Sequence, residues 1–151
     1  MPLLDLSLQY QTLRPHILDA ITRVADSQRF IGGPEVDGLE HELGELLEVE
    51  HAVGMSSGTD AILAALMALG VGAGDDVITS TYSFFATAGC IARVGARPVL
   101  VDIDPATFNI DVAGVRAAIG PRTKAIIPVH LYGQMADMQP LLEAVGTVPI
   151  G

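Results

Sequence analysis

Beyond Glu50 the chain alternates short apolar runs with longer amphipathic stretches, and this alternation restricts its fold more than any other feature. Candidate strands fall at His51–Met55, Asp76–Thr81, Pro98–Ile103 and Ala125–His130. Candidate helices fall at Thr59–Leu69, Phe85–Val94, Val112–Ile119 and Met138–Val145. Thr147-Val148-Pro149-Ile150 reads as the start of a further strand. Parallel neighbours need a crossover and helices supply it, so the pattern predicts an α/β fold: a mostly parallel sheet with helices on both faces. Val99-Leu100-Val101 and Ala125-Ile126-Ile127 are continuously apolar, as strands buried on both faces are.

Upstream, Ile17, Leu18, Ile21, Val24 and Ala25 recur at helical spacing from Pro15 to Ser27. Phe30-Ile31-Gly32-Gly33-Pro34 breaks that helix. Pro34 opens a second one, whose apolar face carries Val36, Leu39, Leu43, Leu46 and Leu47. Its glutamates read as solvated surface rather than a metal site. No repeat, low-complexity tract or linker interrupts the 151 residues, and the pattern stops in mid-alternation.

Composition removes several classes of function. Half of the residues are hydrophobic and 17% are charged, which argues against disorder. A formal net charge of −10 repels phosphate backbones and so argues against nucleic-acid binding. One phosphate can still be held by backbone N–H groups alone. Cys90 is the only cysteine, so no internal disulfide forms and a reducing compartment is expected. Met1-Pro2-Leu3-Leu4-Asp5 lacks the basic-then-apolar order of a secretory signal. The longest apolar run, Ala61 to Ala73, falls short of the about 20 residues that span a bilayer. The expectation is a soluble, cytoplasmic protein with neither membrane nor nucleic-acid partners.

Three segments could carry chemistry, each where a candidate strand ends. In Met55-Ser56-Ser57-Gly58-Thr59-Asp60-Ala61, Gly58 lets a ligand approach the backbone, and Ser57 or Thr59 can cap the helix that follows. The free N–H groups at that helix start suit a phosphate. Taken alone, the segment reads first as an ordinary capped helix start. In Thr81-Tyr82-Ser83-Phe84-Phe85-Ala86-Thr87-Ala88, two adjacent aromatics cannot share one helix face. One ring is expected in the core and the other against a planar ligand; both in the core is the plainer alternative. In Pro128-Val129-His130-Leu131-Tyr132-Gly133-Gln134, His130 and Tyr132 could meet a ligand's polar edge, with a purely structural His130 as the rival. Position favours the functional readings, because open α/β sheets bind ligands at strand carboxyl ends.

Ser57-Gly58-Thr59-Asp60-Ala61, Ser83-Phe84-Phe85-Ala86-Thr87-Ala88, Val101-Asp102-Ile103-Asp104 and Val129-His130-Leu131-Tyr132-Gly133-Gln134 resemble, in order and spacing, the DegT-type nucleotide-sugar aminotransferases. Asp5-Leu6 to Gln9-Tyr10 and Arg29-Phe30-Ile31-Gly32-Gly33-Pro34-Glu35-Val36 are similar to that family's amino terminus. Met135 departs from it, standing where proline is common. The resemblance covers nearly all of this chain but less than half of a typical member. It implies that residues 1–151 are the amino-terminal part of a cofactor-binding large domain of fold-type I, incomplete at its carboxyl end. It implies pyridoxal 5'-phosphate as cofactor, a nucleotide-linked keto-sugar and an amino-acid donor as substrates, and a homodimer with sites at the subunit interface. It further implies that the Gly58-Thr59-Asp60 backbone and the Thr59 hydroxyl hold the cofactor phosphate, that Phe84 stacks on its ring, and that a later aspartate and a later lysine complete the site. Neither has an equivalent in these 151 residues. Lys124, the only lysine, enters a candidate strand at the end away from the site, so the chain alone is expected to be inactive. The position that separates aminotransferases from dehydratases within this family is likewise outside it.

Other readings remain open from the residues. Asp102-Ile103-Asp104 mimics the metal-binding Asp-x-Asp of sugar-nucleotide glycosyltransferases, although Asp104-Pro105-Ala106-Thr107 reads more simply as a turn. A truncated paralogue that binds without catalysing is a further alternative. Gly70-Val71-Gly72-Ala73-Gly74 follows a helix and precedes a strand, the reverse of a dinucleotide fingerprint, and is rejected as one.

Overall fold

The computed structural model describes residues 4–151, which divide into two compact units, the first ending at Gly54 and the second running from Met55 to Gly151. The first holds helices α1 (Ser7–Ser27) and α2 (Pro34–Leu47). The Asp5 carboxylate accepts the Ser7 N–H at the start of α1, and Arg23 of α1 donates to Asp19 and to Glu35 of α2. α1 begins well before the expected Pro15 and carries that proline inside it, where the missing N–H removes one intrahelical bond. Both helices end on a left-handed non-glycine residue, Gln28 and Glu48. Neither buries a residue.

The second unit contains α3 (Gly58–Ala68), β1 (Asp76–Ser80), α4 (Phe85–Arg93), β2 (Arg97–Val101), α5 (Val112–Ala118), β3 (Thr123–Ile127), a short 3-10 turn at Leu131–Gly133 and α6 (Met138–Val145). The strands form a parallel sheet in the order β2-β1-β3, with Ile78 opposite Val99 and Ile126. Successive side chains of each strand point to opposite faces. Val77, Ala125 and Ile127 therefore pack with Leu66 of α3 and Cys90 and Ile91 of α4. Ile78, Ile126 and Val101 pack with Val115 of α5 and Leu141 and Val145 of α6 on the other face. This is the expected helix-covered parallel sheet. Thr79 of β1 ties the sheet laterally by donating its hydroxyl to the Ile127 carbonyl, 2.8 Å away.

Asp76, Arg97 and Arg122 close the amino edge of the sheet. Arg97 holds the Asp76 carboxylate with two bonds of 2.7 Å, and Arg122 adds a third at 3.3 Å. On the far side of β2, Gly114 of α5 lies so close that a Cβ there would sit 2.5 Å from Val101 Cγ1.

Three expectations fail here. His51–Met55 is not a strand, because no partner strand lies beside it among the described residues. β2 lies at the edge of the sheet and Leu100 on it is 55% exposed, so that strand is not buried on both faces. The expected strand Ala125–His130 stops at Ile127, while Thr147–Ile150 begins a parallel pairing beside it through the bridge of Ile126 with Ile150. The glycines from Gly70 to Gly74 form the turn from α3 into β1, with Gly70 and Gly74 at positive φ. That is the structural role their order implied.

Candidate functional site

In a parallel sheet with helical crossovers, α3 and α4 start at the edge where the strands end. Ser57 is the N-cap of α3, with extended backbone and a side-chain oxygen accepting the Asp60 N–H at 3.1 Å. The hydroxyls of Ser56 and Ser57 donate to the Asp60 carboxylate and hold its pKa below the ordinary aspartate value. Asp60 thus builds the turn through both its carboxylate and its N–H. The Gly58 and Thr59 N–H groups remain as the outward donors, since the first turn of a helix offers its amides no internal partners. The Cys90 thiol of α4 donates to the Thr59 carbonyl at 3.3 Å and ties the two helices together beside this turn.

Phe84 caps α4 with extended backbone, and Phe85 is the first helical residue. Both rings are exposed, Phe84 at 78% and Phe85 at 81%. The expectation that one ring enters the core is therefore wrong. The inward positions of α4 are taken by Thr87, Cys90 and Ile91, and the Phe85 ring lies along its own helix over Gly89. Beside Phe84, the hydroxyls of Ser83 and Thr87 are 3.0 Å apart.

The exit from β3 carries His130 and Tyr132. His130 Nδ1 accepts the Ala136 N–H at 3.0 Å, so Nδ1 is the unprotonated nitrogen and the imidazole works as a loop clasp. This favours the structural reading of His130. Tyr132 is 90% exposed and sits at φ 54. Its hydroxyl, chiefly as a hydrogen-bond partner and then through charge, raises the pKa of the Tyr82 phenol. The Tyr82 ring also meets that of Phe108, with centroids 6.2 Å apart.

Of Tyr82, Phe108 and Tyr132, only Tyr132 was singled out by sequence. Asn109 was also missed. It is 4% exposed and bonds the backbone of Leu131, Gln134 and Met135. Its contacts span 22 to 26 residues of sequence, beyond any local pattern.

The Asp-x-Asp pair is occupied by its own backbone. Asp104 accepts the N–H groups of Ala106 and Thr107, which lower its pKa, and Asp102 accepts the Ile103 N–H at 2.8 Å. The turn reading of Asp104 is the one the geometry supports. No helix among the described residues is long and apolar enough to cross a membrane.

Comparison with known proteins adds an independent line. Residues 11–146 match the family model described as the DegT/DnrJ/EryC1/StrS aminotransferase family. The chain is 57% identical to the "Pleiotropic regulatory protein" of Geobacillus stearothermophilus, covering 92% of this chain and 37% of that protein. It is 49% identical to the UDP-N-acetyl-3-dehydro-α-D-glucosamine 3-aminotransferase of Acidithiobacillus ferrooxidans, over 91% of this chain and 37% of the relative. Among solved structures, S. venezuelae DesV in complex with a ketimine intermediate superposes with a TM-score of 0.90 at 44% identity, over 95% of this chain and 38% of its own. The chain thus spans a little over a third of the length of the proteins it matches.

Proposed function

Because the chain belongs to the DegT/DnrJ/EryC1/StrS aminotransferase family, we propose that the whole protein transfers an amino group from an amino-acid donor to a nucleotide-linked keto-sugar, with pyridoxal phosphate as cofactor. The observation that carries this reading is the family match over residues 11–146. The 49% identity to an aminotransferase named for a UDP-linked keto-sugar narrows the substrate class. The fold agrees, being that of the fold-type I aminotransferases.

The residues at the carboxyl edge fit the cofactor. Gly58 and Thr59 present helix-start N–H groups where a phosphate dianion gains from both hydrogen bonds and the positive dipole end. Asp60, with its N–H already used by Ser57, keeps that turn in shape. Phe84, at the start of α4, offers an exposed ring face for a planar heterocycle. The chemistry supplied by pyridoxal phosphate when bound is electron withdrawal from the carbon that exchanges its amino group. Tyr132 and the His130 loop form a polar wall for the substrate or cofactor edge, with His130 acting through the loop. The active form is a homodimer in the cytoplasm, and the lysine that carries the cofactor lies outside these 151 residues.

The test is amine transfer by the protein of the complete reading frame, using pyridoxal phosphate, L-glutamate and UDP-N-acetyl-3-dehydro-α-D-glucosamine. Formation of the amino sugar is expected, and related dTDP and UDP keto-sugars extend the panel. A regulatory, non-catalytic reading draws on the name of the 57%-identical relative. Failure to bind the cofactor or to aminate any sugar in the panel would decide for it.

A further inference from the structure

We propose that Asn109 is a positioning residue for the site, fixing the loop from Leu131 to Met135 and with it Tyr132. The inference rests on the function proposed above and adds to it a residue that never touches substrate. Asn109 is 4% exposed and lies between β2 and α5. Its carboxamide nitrogen donates to the Gln134 carbonyl at 3.2 Å and the Met135 carbonyl at 3.1 Å, and its oxygen accepts the Leu131 N–H at 3.4 Å. Both donors and the acceptor of the amide are thus committed to one short loop.

The anchor is itself rigid. The Asn109 carbonyl accepts the Asp104 N–H at 2.9 Å, the Asp111 N–H bonds the Asp102 carbonyl at 3.0 Å, and Ile103 bridges Ile110. At the other end of the loop, His130 Nδ1 holds the Ala136 N–H. Between these ties Tyr132 adopts φ 54, and Phe108, next to Asn109, adopts φ 61. Aromatic residues avoid that region unless their surroundings over-determine it. The Tyr132 ring is 90% exposed, so packing gains little from holding it there. A buried, fully bonded amide that keeps an exposed ring in an unfavourable backbone state serves the ring's location rather than the core.

The experiment uses the full-length protein with 13C-labelled tyrosine, the Tyr82 and Tyr132 signals being assigned from Tyr82→Phe and Tyr132→Phe. Tyr82 should titrate above its ordinary range in the unaltered protein. In Asn109→Ala, and to a lesser degree in Asn109→Ser, it should move toward the value found in Tyr132→Phe. KM for UDP-N-acetyl-3-dehydro-α-D-glucosamine should rise about tenfold while kcat stays within about twofold, the pattern of lost uniform binding. Asp76→Asn, at the opposite edge of the sheet, should lower stability and leave Tyr82 unchanged. Where the Asn109 variants do not fold, amide exchange in the unaltered protein decides. The Asn109 side-chain protons should exchange at least about tenfold more slowly than those of a solvated amide. Folded Asn109 variants with an unaltered Tyr82 titration, fast side-chain exchange, or a lost Tyr82 shift without any rise in KM would each overturn the proposal. Absence of amine transfer in the unaltered protein would sink the proposed function alone, leaving titration and exchange to judge Asn109.

Discussion

The Cys90 thiol donates to the Thr59 carbonyl across 3.3 Å, joining the middle of one helix to the first turn of another. The thiol is fully buried, so reagents reach it only when the fold opens. Ellman's reagent should therefore react with Cys90 in the native protein no faster than the protein unfolds. Cys90→Ala should reduce stability by about 1 kcal/mol through the small void it leaves. It should also weaken pyridoxal phosphate binding a few-fold, because α3 loses its tether next to Gly58 and Thr59. Fast labelling under native conditions, checked by absorbance at 412 nm, would contradict the burial.

The two phenylalanines at the start of α4 should differ in what they do rather than in exposure. Phe84→Ala should weaken cofactor binding by up to about tenfold, since stacking contributes roughly 0.5–1.5 kcal/mol beyond area burial. The sequence assigned Phe85 to the core, and its 81% exposure withdraws that assignment. Phe85→Ala should change stability by less than about 0.5 kcal/mol, as exposed substitutions do. Equilibrium binding followed by cofactor absorbance, paired with urea unfolding, separates the two effects. A Phe85→Ala loss of cofactor with no effect at Phe84 would reverse their roles.

The elements that sequence located well are those whose own residues determine them. Met138–Val145 is reproduced to the residue, and α3, α4 and α5 fall within one residue of expectation at each end, because their apolar spacing matches the faces they bury. His51–Met55 failed because a strand needs a neighbour, and periodicity does not reveal whether one is present. The site was legible in part for the same reason. Ser57, Gly58 and Thr59 act within one turn and announce themselves locally. Tyr82, Phe108 and Asn109 act on residues brought close only by the sheet, as does Asp76 with Arg97 and Arg122.

The Asp76 clamp makes stability fall in acid. Its bonds to Arg97, and secondarily to Arg122, hold the folded-state pKa of Asp76 below the ordinary aspartate value. As pH falls, the unfolded chain takes up that proton first. The contribution of Asp76 is therefore complete above about pH 4 and lost as pH drops through the folded value. Asp76→Asn should be less stable than the unaltered protein at neutral pH, and the gap should close as pH is lowered from about 4 toward 2. Both arginines are more than half exposed, so salt should narrow the gap as well. Urea midpoints measured across that range test it. A gap that widened in acid would reverse the sign.

Lys124 offers the sharpest check on where the chemistry lies. It is the only lysine in the sequence, and it is the second residue of β3, exposed near the amino edge of the sheet. β3 rises about 3.3 Å per residue, so the three steps from Lys124 to its end at Ile127 already cover about 10 Å, and the loop that carries His130 follows beyond them. The Gly58–Thr59 turn and Phe84 belong to the His130 end of the sheet, because α3 and α4 begin where the parallel strands finish. On the proposed placement of the site, Lys124 is therefore not expected to carry the cofactor or to move a proton at the reacting carbon. In the full-length protein, Lys124→Ala should keep amine transfer within about twofold and change stability by less than about 0.5 kcal/mol. The 151 residues purified alone, given pyridoxal phosphate, L-glutamate and the keto-sugar nucleotide, should produce no amino sugar. Turnover by that fragment, abolished by Lys124→Ala, would place the site at the amino edge of the sheet instead.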